Sequence, residues 1–152
     1  MENMAIRKDP SSAHHIITGK KGESLASEWL EERGFEIIEK NWRYKRFEVD
    51  IIASRHGILH FIEVKTKSSL RGGFPEEQVT IAKIRRLVNA SIPYRSMFPV
   101  WNRVQFDVLA ITLASNVLEP NNIENTKRQR QGTGRQLPSN TIEYFFIEDV
   151  YT

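Results

Sequence analysis

Two short apolar segments separated by His56-Gly57 constrain the fold of this chain more than any other feature of its sequence. Residues 49–52 (Val-Asp-Ile-Ile) form the first β-like run, and residues 58–64 (Ile-Leu-His-Phe-Ile-Glu-Val) form the second. Glycine supplies the positive φ that a two-residue hairpin turn requires. The pattern therefore predicts an antiparallel β-hairpin that turns at His56-Gly57.

Acidic residues occur where the strands of this hairpin are expected to be buried. Residues two apart in a strand share a face, and a turn at 56–57 places Asp50 opposite Glu63 and Glu48 opposite Lys65. Directly paired Cβ atoms are only ~5 Å apart, so two carboxylates in this position repel each other, and burying them adds a further cost. The sequence therefore predicts that something compensates the charge of Asp50 and Glu63.

A divalent cation is the most direct compensation. Asp50, Glu63 and the main-chain carbonyl of Val64 would provide the hard oxygen ligands that Mg²⁺ or Mn²⁺ prefers. Lys65 would then orient or deprotonate an attacking water, or stabilise the charge that develops on a phosphate. The alternative is a solvated strand face, because Glu-x-Lys alone is a common tripeptide, and a slip of one residue in the register would remove the alignment.

The rest of the chain shows helical and strand patterns in the order α-β-β-β-α-β-β. The predicted elements are a helix at about 16–33 that ends at Gly34, a strand at 35–44, the hairpin, a helix at about 81–94 capped by Thr80, and strands at 104–113 and 142–147. This order predicts an α/β (α+β) domain with a central mixed sheet flanked by helices. We expect a flexible N-terminal arm at 1–15 and a single domain at 16–152, with a flexible insertion at about 115–138 that is rich in Asn, Gln, Gly, Arg and Pro.

Length and composition narrow the class of protein. The 152 residues suit one domain. The absence of cysteine excludes a disulfide framework and a thiolate zinc site, and it suits a reducing compartment. No apolar run approaches the ~20 residues that a membrane span needs, and the first ten residues lack the apolar stretch of a secretory signal. We therefore predict a cytoplasmic protein with no membrane partner.

The basic residues are more informative by position than by number, because a net charge of +3 is only a weak sign of a polyanionic partner. The candidates for contacts with nucleic acid are Arg43, Lys45, Arg46, Lys83 and Arg86. For the last two, an ordinary solvated helix face is an equally good explanation.

Two further acids have structural explanations as well as functional ones. Glu23 fits an exposed acid in a first helical turn, where the helix dipole favours negative charge. Asp107 lies in the middle of an apolar strand and fits either a site acid or a structural aspartate with a buried partner.

Asp50 followed by Glu63-Val64-Lys65 resembles the bipartite signature of the PD-(D/E)xK nuclease superfamily. Further stretches make the chain similar to the YraN-like family of small predicted endonucleases, which are related to archaeal Holliday-junction resolvases. These stretches are residues 19–26, 34–38, 41–43, 48–53 and 61–65. The resemblance covers roughly residues 16–112 and the last strand, and it implies a restriction-endonuclease-like fold.

The resemblance also implies an activity and a role for each matching residue. The protein would be a Mg²⁺- or Mn²⁺-dependent endonuclease that hydrolyses DNA phosphodiester bonds, on branched or on recombination and repair intermediates. Asp50 and Glu63 would be metal ligands and Lys65 the catalytic lysine. Glu23 would be a first-helix acid that completes the site, and Glu48 a supporting acid. A two-fold homodimer would suit a junction-cutting enzyme.

Two positions depart from the family pattern. Phe47 stands where the family usually has glycine, and its ring would restrict how closely a DNA backbone approaches. Lys67, a supporting residue, stands where arginine is usual, and a point charge replaces a bidentate fork poorly. Phe47 therefore favours an alternative function, a non-catalytic nucleic-acid-binding module that retains the nuclease fold. A structural or protein-interaction domain is the third possibility.

Overall fold

The computed structural model of the chain describes residues 10–67, 80–113 and 142–151. Within these residues, two helices and five strands follow in the predicted order: α1 (Pro10–Glu31), β1 (Glu36–Tyr44), β2 (Phe47–Arg55), β3 (Ile58–Lys67), α2 (Ile81–Met97), β4 (Val104–Leu113) and β5 (Ile142–Ile147). The five described strands form one sheet in the order β1-β2-β3-β4-β5, and among them β3 and β4 are parallel and the other neighbours antiparallel. The predicted α+β class with a mixed sheet is confirmed, and it is compatible with a restriction-endonuclease-like fold.

The hairpin turn and the helix cap that the sequence predicts are both present in the structure. His56 and Gly57 both have positive φ, 52° and 75°, which is the conformation of a type I′ hairpin turn. The β2–β3 pairing accordingly starts with Arg55 opposite Ile58. The hydroxyl of Thr80 accepts a hydrogen bond from a main-chain N–H in the first turn of α2, so the predicted N-cap is also confirmed.

Both helices are longer than the sequence pattern predicts. α1 begins at Pro10, so residues 10–15, which we expected in the arm, are helical. Proline is favourable in a first helical turn, because its missing N–H would have no helical partner there. α2 continues past its predicted end to Met97, with Pro93 inside it. Residues 1–9 of the predicted arm and the predicted insertion at 115–138 lie outside the described residues.

The hydrophobic core lies in two layers, one on each face of the sheet. The α1 cluster joins that helix to one face and contains Ala26, Leu30, Phe35, Ile51, Ala53, Ile62, Val64, Leu109, Ile111 and Leu113. The α2 cluster joins the other helix to the opposite face and contains Trp42, Val49, Ile52, Leu59, Phe61, Leu87, Ala90, Tyr94 and Phe106. Neither described helix is long and apolar enough to cross a bilayer.

A close contact fixes the position of α1 beside the end of β3. Gly22 is buried in α1, and a Cβ atom added there would overlap the side chain of Thr66 on β3. Only glycine therefore permits this approach of the helix to the strand. The contact brings the next residue of α1, Glu23, toward the part of the sheet that carries Asp50 and Glu63.

Candidate active site

The predicted hairpin register holds up to the point where the acidic residues begin. β2 and β3 pair from Arg55↔Ile58 to Ile51↔Ile62, as predicted. The described pairing ends there, one step before Asp50 and Glu63 would face each other. Beyond this point β2 continues against β1, and β3 continues against β4. The two strands therefore separate at the acids, which opens space between them.

Where the strands separate, the side chain of Asp50 accepts a hydrogen bond that a main-chain carbonyl of β2 would accept in a regular ladder. Its carboxylate accepts a hydrogen bond of 2.7 Å from the N–H of Val64. If the ladder continued, Val64 would face Val49, and its N–H would be directed at β2. The N–H and C=O of one strand residue point to the same side, so the carbonyl of Val64 is also directed toward β2. This is the orientation that the predicted carbonyl ligand requires.

The surroundings of Asp50 disfavour its charged form. Partial burial raises the pKa of this carboxyl group, and the neighbouring carboxylates of Glu63 and Glu23 raise it further. The hydrogen bond from Val64 and the ammonium group of Lys65 act in the opposite direction. The net effect raises the pKa of Asp50 to about 6. The repulsion between two carboxylates that the sequence predicts is therefore present at this position.

Glu63 and Lys65 lie two residues apart on β3 and form an ion pair. Their side chains are 24% and 26% exposed, so both are accessible from solvent but partly shielded by protein. The alternation along β3 places Ile62 and Val64 in the α1 cluster, and Glu63 and Lys65 are consequently directed to the α2 side. Lys65 thus lies beside the two acids, as predicted.

The donor set near Asp50 fits a hard divalent cation when the main chain is included. Within the described residues, no group of three or more His, Asp or Glu side chains is arranged to hold a metal ion. Two carboxylates, from Asp50 and Glu63, and the carbonyl of Val64 remain as oxygen donors. Mg²⁺ is commonly held by one or two protein carboxylates with water completing its octahedron, so these donors are of the type and number that it takes.

Asn41 is the residue of this site that the sequence interpretation missed. The β1–β2 pairing includes Lys40↔Ile51 and Trp42↔Val49 but skips the pair between them, Asn41 and Asp50. Asn41 has a φ of 54°, a left-handed conformation that asparagine tolerates better than most residues do. Its side-chain amide donates a hydrogen bond of 2.9 Å to Glu23 Oε2. An asparagine inside a strand, where this residue type is depleted, was the available signal.

The prediction that Glu48 faces Lys65 is wrong. Glu48 pairs with Arg43 across β1 and β2, and Arg43 Nη2 lies 2.7 Å from Glu48 Oε1. The reason is the separation of β2 from β3, which leaves β1 as the neighbour of this part of β2. Glu48 still lines the cleft described below, but it forms an ion pair with Arg43, which does not line the cleft.

Basic residues from the β1–β2 turn, from β3 and from α2 line a cleft of about 480 Å³ around the acids. The lining residues are Arg46, Phe47, Glu48, Asp50, Glu63, Lys65, Lys83, Arg86, Leu87 and Asn89. Three of the five predicted nucleic-acid contacts, Arg46, Lys83 and Arg86, are among them. Arg43 and Lys45 do not line the cleft; Lys45 lies in the tight turn between β1 and β2, with its ammonium group over the Tyr44 ring.

Two other predicted residues have definite positions outside the cleft. Lys67 lies at the end of β3, where it pairs with Thr112 of β4. Asp107 is fully buried and is a structural residue: it contacts His60 Nδ1 at 2.7 Å and accepts hydrogen bonds from the Gln105 side chain and the Asp149 N–H. Asp107 thus has the buried partners that a structural aspartate requires, and it does not line the cleft.

Comparison with known proteins identifies the family. A family model described as Uncharacterised protein family UPF0102 matches residues 22–111. The chain belongs to this family. The matched range begins beside Glu23, includes Asn41 and the whole β2–β3 hairpin, and ends within β4.

Several UPF0102 relatives share this central part of the chain. A UPF0102 protein of Rhodococcus opacus is 44% identical over 102 residues, which are 66% of this chain and 86% of the relative. One of Flavobacterium johnsoniae is 48% identical over 103 residues, 65% and 84% of the two chains. One of Chlorobium phaeobacteroides is 41% identical over 108 residues, 69% and 83% of the two chains. The similarity thus covers most of each relative.

Proposed function

We propose that this UPF0102 protein is a metal-dependent endonuclease that hydrolyses phosphodiester bonds in DNA. The observation that carries the proposal is the meeting of Asp50, Glu63 and Lys65 in a cleft with basic walls. A carboxylate whose charged form is disfavoured by burial and by a neighbouring acid, as that of Asp50 is, is an unfavourable arrangement for stability alone. A dication held by Asp50, Glu63 and the Val64 carbonyl would make the arrangement favourable.

Each of these residues would have a separate role in hydrolysis. Bound Mg²⁺ or Mn²⁺ would supply Lewis acidity toward a phosphate oxygen and a water of lowered pKa. Asp50 and Glu63 fix the position of the ion, and the hydrogen bond from the Val64 N–H fixes the orientation of the Asp50 carboxylate. Lys65 orients the attacking water, or stabilises the negative charge that develops on the phosphate.

The basic wall of the cleft supports a polyanionic substrate. Arg46 follows β1, whereas Lys83 and Arg86 belong to α2, so positive charge flanks the acids from two sides. Phosphate contacts of this kind position a nucleic acid without reading its sequence. We therefore assign these three residues to the phosphates that flank the scissile bond, and we expect selectivity for DNA structure, including branched forms, rather than for sequence.

Cleavage assays with purified protein test the proposal. Branched, nicked and single-stranded DNA are incubated with Mg²⁺, with Mn²⁺ or with a chelator. We expect cleavage that the chelator abolishes and that Asp50→Ala or Lys65→Ala lowers at least ~100-fold, because loss of even an indirect metal partner commonly costs 10–100-fold. Glu143→Gln, an exposed acid on β5, and Lys40→Ala, an exposed lysine on β1, are matched controls. Cleavage that persists unchanged in the two site variants would refute the assignment.

Phe47 favours a second candidate function, a nucleic-acid-binding module without catalysis. Its ring lines the cleft, and the Arg46 guanidinium lies 5.4 Å from the ring centroid. An aromatic ring beside a cation is a surface on which a base can stack. This function predicts salt-sensitive DNA binding that Asp50→Ala leaves intact, with no cleavage under any metal. Restoring glycine in Phe47→Gly separates the two functions, since a catalytic site blocked by the ring would gain activity.

A further inference from the structure

We propose that Asn41 is a positioning residue of this site, which holds Glu23 of α1 at a fixed place beside Asp50. The proposal rests on the function proposed above, since it concerns the same metal site. Asn41 has two separate properties that serve this purpose. One is its left-handed backbone, and the other is its side-chain amide.

The backbone of Asn41 changes the direction of side chains in β1. Lys40 pairs with Ile51 of the α1 cluster, whereas Trp42 pairs with Val49 of the α2 cluster, so two positions that a regular strand would put on one face lie on opposite faces. The change of face is anchored there by Trp42, whose ring packs edge-on against Tyr94 at 5.3 Å. β2 shows a similar irregularity, because Val49 and Ile52 both belong to the α2 cluster although they are three residues apart.

The two irregularities lie at the same level of the sheet. Asn41 and Asp50 are the pair that the β1–β2 ladder skips, although the pairs on either side of them are formed. In a regular ladder, the alternation of the pleat would fix the directions in which the side chains of Asn41 and Asp50 point. The break frees Asp50 to bond Val64 on one side and frees Asn41 to bond Glu23 on the other.

The chemistry of the amide suits the purpose. A neutral donor orients the Glu23 carboxylate without cancelling its charge, in contrast to the guanidinium–carboxylate pair of Arg43 and Glu48 close by. Glu23 consequently remains an acidic group on the helical turn that Gly22 places against Thr66, the residue next to Lys65. Glu23 would thus add negative potential for a dication from outside its direct ligands, and Asn41 would keep that potential in place.

Titration of Mn²⁺ by calorimetry, with the full chain and without DNA, tests the proposal. Asn41→Gly keeps the left-handed backbone accessible and removes only the amide. We expect its Mn²⁺ affinity to fall about 10-fold, the scale of an indirect metal partner, with a melting temperature lowered by no more than about 5 °C. Asn41→Asp also tolerates the backbone but sets a carboxylate against Glu23, and we expect a loss at least as large.

A double-mutant cycle distinguishes positioning from a general structural effect. Glu23→Gln should weaken Mn²⁺ binding by itself, and adding Asn41→Gly should then have little further effect, because the amide acts through the Glu23 charge. Additive losses, or wild-type affinity in Asn41→Gly, would overturn the proposal. If the wild type binds no Mn²⁺, or Asp50→Ala binds it normally, the proposed metal site itself fails and this inference fails with it. If those two tests succeed and only the cycle is additive, the metal site stands and the role of Asn41 is refuted.

Discussion

Replacement of Asp50 by asparagine should stabilise the protein while it removes the metal site. The change keeps the shape of the side chain, and the amide oxygen can still accept the hydrogen bond from the Val64 N–H. It removes a charge that partial burial and two neighbouring carboxylates disfavour. Asp50→Asn should therefore be more stable than wild type when no divalent ion is present.

The size and pH dependence of this effect follow from the pKa of Asp50. The difference between its ordinary value of 3.8 and about 6 corresponds to about 3 kcal/mol, and screening by solvent at this partly exposed site reduces the expected gain to about 1–2 kcal/mol. The folded state has the higher pKa. The penalty is therefore absent below pH 3.8, grows as the pH rises, and is complete above about pH 6.

Urea unfolding of both proteins in a chelator, at pH 8 and at pH 4.5, measures the effect. We expect Asp50→Asn to exceed wild type in unfolding free energy at pH 8, and we expect this advantage to shrink by half or more at pH 4.5. Addition of Mn²⁺ at pH 8 should stabilise only the wild type, by about 2.7 kcal/mol at 100 times the dissociation constant. An Asp50→Asn protein that is less stable at pH 8, or an advantage that does not change with pH, would refute the electrostatic reasoning.

Three further predictions concern other parts of the molecule. Gly22→Ala should destabilise the protein by about 1–3 kcal/mol in urea unfolding, because the added Cβ would overlap Thr66. The control is Gly19→Ala, whose added Cβ meets no atom within 4 Å. This control should be neutral or stabilising by up to about 1 kcal/mol. Asp107→Ala should cost about 3–5 kcal/mol, because it leaves buried partners unpaired, whereas calorimetry should show unchanged Mn²⁺ affinity of the folded protein. Arg86→Ala should lower the slope of log DNA affinity against log salt concentration by about 1; an unchanged slope would exclude this residue as a phosphate contact.

The sequence predicted the parts of the site that depend on local chemistry. Gly57 supplies a strong turn signal, and the alternation of apolar residues on both sides of it leaves one register that buries them. The sequence alone therefore places Asp50, Glu63 and Lys65 near one another. The structure confirms that placement, with the difference that the acids lie just beyond the end of the ladder.

The features that the sequence did not predict depend on which strands are neighbours in the sheet. Arg43 and Glu48 meet because the chain turns at Lys45-Arg46, where Lys45 has a φ of 54° without being glycine or asparagine. No turn residue marked this position, so the pairing of Glu48 with Arg43 could not be predicted. The change of face at Asn41 likewise depends on Trp42 packing against a helix that lies far along the sequence.

The irregular backbone of β1 has a consequence for behaviour in solution. β1 forms one edge of the sheet, and its pairing with β2 is interrupted near Ile38 and again at Asn41. An edge whose pairing is interrupted twice and that carries exposed charges is a poor template for the addition of a strand from another molecule. The conformation that brings Glu23 and Asp50 together should thus also discourage aggregation. A variant that straightens β1 would be expected to lose solubility together with its affinity for the ion.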